Sequence, residues 1–154
     1  MAFTEIPGCF HNDPPIADAD QREINVLGKS DATTRWDHLV SASDRHFMLL
    51  DQTEWPVQLV RDASIFFTWM DDWNNDAADA FCDALRTLDI SPAETITIFW
   101  MREHAVESSW DAFTRNWINF LYEDEGCIVV PTVSHTSLVL SNGYSWVGTR
   151  PSAA

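Results

Sequence analysis

The sequence predicts a single α+β domain built on a mostly antiparallel sheet, with a C-terminal hairpin and two or three packed helices. Three observations carry that prediction. Apolar residues make up 45% of the 154 residues, a core-forming share at the usual length of one domain. Strand-like runs gather toward the C-terminus around Asn142-Gly143, whereas helical patterns are interspersed before them. Asn-Gly supplies the positive φ angles of a type I′ hairpin turn, and neighbouring strands joined this way pair antiparallel. Finally, Trp110, Phe113, Trp117 and Leu121 recur at helical spacing, which gives one apolar face to lay on a sheet.

The first half is the less regular. Residues 1–30 carry Pro7, Pro14 and Pro15 among Asp and Gly and read as largely irregular, with a short strand within Glu23–Leu27. Ser30 or Asp31 caps a helix running to about Val40. His46–Leu50 (HFMLL) reads as a short buried strand. With Thr53 as a cap before Trp55-Pro56, the segment Val57–Trp69 fits helix or extended chain equally.

The second half has clearer punctuation. Asn74 or Asn75 caps a helix over Asp76–Leu88, which stops before Ser91-Pro92. Thr95–Met101 (TITIFWM) is β-branched and aromatic, as a central strand requires. Ser108 or Ser109 opens the next helix, which runs to about Tyr122 with Phe120 on the flank of its apolar face. The turn Glu123-Asp124-Glu125 ends at Gly126, and Cys127–Val130 reads as a strand. Thr136–Leu140 and Tyr144–Gly148 form the final hairpin.

Charge narrows the function. The chain holds 24 acidic and 9 basic residues, a net −15 with Lys29 as its one lysine. Nucleic-acid binding needs clustered Lys and Arg to neutralise phosphates, so that class is excluded. No apolar run approaches the roughly 20 residues of a membrane helix, and the N-terminus lacks the basic and apolar regions of a signal peptide. Cys9, Cys82 and Cys127 are far apart, with no C-x-x-C pair for zinc and too few for a disulfide scaffold. The expected compartment is a reducing cytoplasm.

The most distinctive segment is acidic. Between Asp71 and Asp89 stand six Asp and one Arg. On a helix extended back to Asp72, the residues Asp72, Asp76, Asp79 and Asp83 form one stripe opposite Ala77, Phe81, Ala84, Leu85 and Leu88. Such a stripe is ordinarily a solvated face, helped near a helix start by the dipole. Here no Lys or Arg alternates with it to relieve like-charge repulsion, which marks it as a docking face for a cationic partner. Asp71 and Trp73 adjoin it. Seven of the eight tryptophans read as core packing, whereas Trp73, set among Asp71, Asp72, Asn74 and Asn75, reads as an interface anchor.

The same residues only partly imitate a calcium loop. Asp72, Asn74, Asp76 and Asp83 match positions one, three, five and twelve of an EF-hand. The sixth position holds Ala77 instead of Gly, and the last ligand is Asp instead of Glu. No metal and no cofactor are therefore expected. A catalytic alternative rests on His104 with Glu103 or Glu107, beside Arg102 at the end of the central strand. A solvated turn explains these residues as well. No nucleophile elbow, phosphate loop or zinc-protease motif occurs.

Glu54-Trp55-Pro56, Trp69-x-Asp71-Asp72, TITIFWM, Trp110-x-x-Phe113-x-x-x-Trp117-x-x-Phe120-Leu121, Glu123-Asp124-Glu125-Gly126 and Gly143-Tyr144-x-x-Val147-Gly148-x-Arg150 together resemble small uncharacterised proteobacterial families. In style they are also similar to immunity proteins of bacterial polymorphic-toxin systems. The resemblance covers about residues 54–150 and implies a non-enzymatic α+β protein that sequesters a toxin, with no catalytic residues carried over. Net charge fits that implication independently, because an acidic inhibitor covers a basic substrate cleft. The expected function is thus a cytoplasmic immunity-type inhibitor of a basic toxin, such as a nuclease-like one, with Asp71, Asp72, Trp73, Asp76, Asp79 and Asp83 as its contact residues.

Overall fold

Seven strands form one antiparallel sheet in the order β1-β4-β3-β5-β6-β7-β2. A computed structural model describes residues 16–42, 49–121 and 126–151. In chain order the elements are α1 (Asp18–Gln21), β1 (Asn25–Val26), α2 (Lys29–Leu39), α3 (Trp55–Asp62), β2 (Ile65–Thr68), α4 (Met70–Asn74), α5 (Asp79–Leu85), β3 (Thr95–Met101), β4 (His104–Ser109), α6 (Trp110–Phe120), β5 (Cys127–Pro131), β6 (Thr136–Ser141) and β7 (Tyr144–Thr149). The predicted α+β class and antiparallel sheet are those observed.

The sheet is buried on both faces, which explains why its strands read as nearly continuous apolar runs. Side chains alternate across a strand. On β3, Ile96, Ile98 and Trp100 enter one core, and Phe99 enters the other. On β5, Cys127 and Val129 likewise oppose Ile128 and Val130. The first face carries α6 through Trp110, Phe113, Trp117 and Phe120, and Leu121 just past its end, with Phe81 and Leu85 of α5 beside them. The second carries α2 through Ala32 and Trp36, and α3 through Trp55 and Leu59.

Aromatic side chains tie neighbouring elements together with their polar ends. Indole N–H groups donate from Trp55 to the Leu39 carbonyl at 2.8 Å and from Trp69 to Tyr144 at 2.9 Å. Trp100 donates to Phe120 and Trp117 to Ala78, each at 2.8 Å. A buried indole needs such a partner, so each ring fixes a second element as well as filling space.

Local chemistry sets the boundaries. Ser109 caps α6 by accepting from the Ala112 N–H at 3.1 Å, as expected of that serine. Asn142 and Gly143 both have positive φ, 53° and 87°, and close the predicted hairpin. A Cβ on Gly143 would also stand 2.6 Å from Met70 Cβ, so this turn is required by contact as well as by conformation.

Other boundaries differ from the sequence prediction. Gly28, not Ser30 or Asp31, precedes the first turn of α2, and no side chain caps it. The ambiguous segment is both things in turn: a helix begun at Trp55 with Pro56 in its first turn, then the strand β2. Glu54, not Thr53, occupies the cap position. Most of the predicted strand His46–Leu50 lies outside the described residues. Leu49 is 67% exposed and Leu50 half-buried, so the described end is no buried strand. α6 ends at Phe120, with Leu121 already extended, short of the expected end at Tyr122, and the turn 123–125 lies outside the described residues. The greatest departure is at Asp76–Leu88, where the chain breaks into α4 and α5.

An ion-pair cluster ties α1 to α6. Arg115 pairs with Asp20 and Asp111, and Asn116 Nδ2 donates to Asp20 at 2.9 Å. Asn116 also donates to the Ala112 carbonyl at 2.8 Å and has non-helical dihedrals that kink α6. The Arg115 hydrogen bond holds the Asp20 carboxyl below its ordinary value, against the opposing effect of burial.

Truncating Trp117→Ala should cost about 3–5 kcal/mol in urea unfolding, through lost burial and a residual cavity. Melting close to wild type would mean that this face does not pack as described. Asp20→Asn should cost about 1 kcal/mol at neutral pH, since Arg115 is partly solvated. Because the folded pKa of Asp20 is depressed, its contribution is present above the unfolded value near 3.8 and disappears as pH falls through the lower folded value. Wild-type and variant stability curves should therefore converge in strong acid, and a gap that persisted there would refute the charge-based account.

Candidate functional site

The acidic segment folds as two short helices around a tight link. In α4, the Asn75 N–H and side-chain amide both donate to the Asp71 carbonyl, at 3.1 and 2.8 Å. The Ala77 N–H then reaches back to the Asp72 carbonyl at 2.8 Å, and Asp76 N–H to Trp73 at 3.3 Å. This pair of bonds is a Schellman closure, in which the residue after the cap adopts the left-handed region. That residue is Asp76, with φ 50°. Asp tolerates this conformation better than most residues, although Gly is the usual occupant.

The closure corrects the predicted stripe. Asp72, Asp76, Asp79 and Asp83 do not lie on one helix, because the helical path ends at Asn74 and resumes at Asp79. Only Asp79 and Asp83 share a helix at the i, i+4 spacing. Ala77, expected to face the core, is exposed, whereas Phe81 and Leu85 are fully buried as expected. Trp73 is half-buried, packed against the core, and its indole donates to the Ile118 carbonyl at 3.2 Å.

What survives is a corner of unneutralised charge. Asp71, Asp76, Asp79 and Asp83 are exposed and Asp72 half-buried, and none forms an ion pair with a described residue. Among the described residues, Lys29, Arg35, Arg61, Arg86, Arg102 and Arg115 pair with other carboxylates. Arg86, the only cation within the segment, turns to α6 and pairs with Asp111 at 3.2 Å. Among the described residues, no group of three or more His, Cys, Asp or Glu is placed to hold a metal ion.

The residues of the catalytic alternative serve to seat α2. Arg102 donates to Asp37 through two nitrogens, each at 2.8 Å, in a bidentate fork. Glu103 lies 3.6 Å from Lys29, and Glu107 pairs with Arg35, which also donates to Thr97. Strand alternation puts His104 and Glu107 on opposite faces of β4. Glu107 therefore stands across the strand from His104.

A family model described as "Protein of unknown function (DUF2947)" matches residues 9–148. The chain belongs to the DUF2947 family. No curated protein and no solved structure matches it. This DUF2947 protein also has an open cleft of about 1110 Å³, lined among others by Ser41, Glu54, Gln58, Asp62 and Arg150. Ser41 Oγ donates to Glu54 at 2.9 Å, and the buried Arg150 donates to the Pro131 carbonyl at 3.0 Å. Burial pushes the Arg150 pKa down, partly offset by the nearby charge of Glu94. These residues come from three distant stretches, so no spacing in the sequence announces the cleft.

Replacing Asp76 tests the link between α4 and α5. Asp76→Gly should be neutral or stabilising by under about 1 kcal/mol, whereas Asp76→Val should cost about 1–3 kcal/mol in the left-handed region. Equal melting temperatures for the two variants would contradict the assigned conformation.

Proposed function

We propose that this DUF2947 protein is a non-enzymatic inhibitor of the immunity type, which binds a cationic toxin in the cytoplasm through its acidic corner. The observation that carries the reading is the set of exposed carboxylates around the α4–α5 link, none paired with a described residue, while Arg35, Arg86, Arg102 and Arg115 pair with other carboxylates. Among the described residues no helix is long and apolar enough to cross a membrane.

The physics is electrostatic steering. Uncompensated carboxylates on one corner raise the encounter rate with a basic surface, toward ~10⁸ M⁻¹s⁻¹ at low salt. Once docked, they occupy the positions where an anionic substrate or phosphate sits on a nuclease-like toxin. The bonds across the link hold the carboxylates in place, which lowers the ordering cost of binding. Trp73 supports this corner from beneath. The hydrolase alternative draws no support from Arg102, Glu103 and Glu107, whose charges are spent on α2.

The test uses the product of the gene adjacent to this one, co-expressed and purified as the candidate toxin. Asp76→Lys with Asp79→Lys should slow association at least tenfold at low salt and flatten its salt dependence, with a smaller effect on dissociation. Equal binding by wild type and the double variant would reduce the acidic corner to a solvated surface. Absence of any complex with the neighbouring product would remove the inhibitor reading.

A further inference from the structure

The two edges of the sheet are unlike. At one end β1 has two residues, Asn25 and Val26, between α1 and α2. At the other, β2 pairs with β7 on its inner side, and no described strand pairs with its outer side. Natural edges are blunted by Lys, Pro, an inward charge, a bulge or short length, and of these β2 has only the last two. From Ala63 to Met70 there is no charge and no proline. Ile65 is 51% exposed and Tyr144, on the neighbouring strand, is 41% exposed. The irregularity between Ile65 and Phe67 leaves only a short run for pairing.

This edge is continuous with the acidic corner. Thr68 ends β2, Trp69 is anchored by its indole to Tyr144, and Asp71 and Asp72 follow in the first turn of α4. Resting on the reading of a cationic partner, we propose that the open edge of β2 receives an extended basic segment of that partner as an eighth strand. Strand addition supplies backbone hydrogen bonds and a register. A four-residue edge holds a partner weakly by these bonds alone, so Lys or Arg of the added strand, set against Asp71 and Asp72, supplies the rest. Charge also selects the occupant: a second copy of this chain would bring another net −15 to the contact.

The probe is a capped eight-residue peptide of alternating Val and Lys, titrated to millimolar concentration into the ¹⁵N-labelled full chain. Amide exchange within Ile65–Thr68 should slow at least tenfold, with shift changes at Asp71 and Asp72, and the matching Val-Glu peptide should produce neither. Asp71→Asn with Asp72→Asn should weaken the Val-Lys peptide at least tenfold. Changes confined to Asp76–Asp83, with no protection in β2, would overturn strand addition and leave the acidic-corner reading standing. No change anywhere at millimolar peptide would also overturn it. A peptide-free dimer with β2 amides already protected would replace the basic partner by self-pairing.

Discussion

The fold depends most on how Trp117 is satisfied. Its ring is fully buried on α6 and packs edge-on against Phe81, with centroids 4.9 Å apart, and against Trp69 at 6.5 Å. Its N–H must also find an acceptor, since a buried unpaired donor costs about 1–3 kcal/mol. The acceptor is the carbonyl of Ala78, directly before α5. One residue thereby fixes where α5 begins, how its Phe81 enters the core, and where the preceding link must run. The Schellman closure at Asp76 is the local solution to that tertiary demand.

Charge is partitioned in the same economical manner. Lys29, Arg35 and Asp37 of α2 meet Glu103, Glu107 and Arg102 around the β3–β4 hairpin, while Arg115 joins α6 to α1. Most of these pairs are partly exposed and add little stability singly. Their larger effect is on position: they orient helices on a sheet whose two faces are already apolar. With these cations so engaged, the segment Asp71–Asp89 keeps a third of the chain's net −15, next to the open edge of the sheet. The acidic field and the edge are thus neighbours through the path of the backbone.

The legible parts of the sequence were those where one local signal sufficed. TITIFWM, Ser109 as a cap and Asn142-Gly143 as a turn each act within a few residues, and all three stand in the structure as expected. The helical spacing of Trp110, Phe113, Trp117 and Leu121 was equally direct, and all four are buried. The acidic segment was legible in composition but not in shape. Its Asp and Ala residues permit a continuous helix, and no Gly or Pro marks the break. Trp73 shows the same limit: its sequence neighbours are polar, whereas the acceptor of its indole lies on α6.

By itself the sequence determined the class of fold, the antiparallel C-terminal hairpin, the aromatic face of α6 and the sign of the surface charge. These follow from periodicity, turn chemistry and composition, which act locally or sum over the chain. Tertiary structure alone decided the division of α4 from α5, the order of seven strands, the second core beneath α2 and α3, and which carboxylates remain unpaired. Those features depend on partners 20 to 95 residues apart, such as Trp100 with Phe120 and Arg115 with Asp20. No local pattern encodes a contact of that range, because the pairing is settled only when the two faces of the sheet are covered.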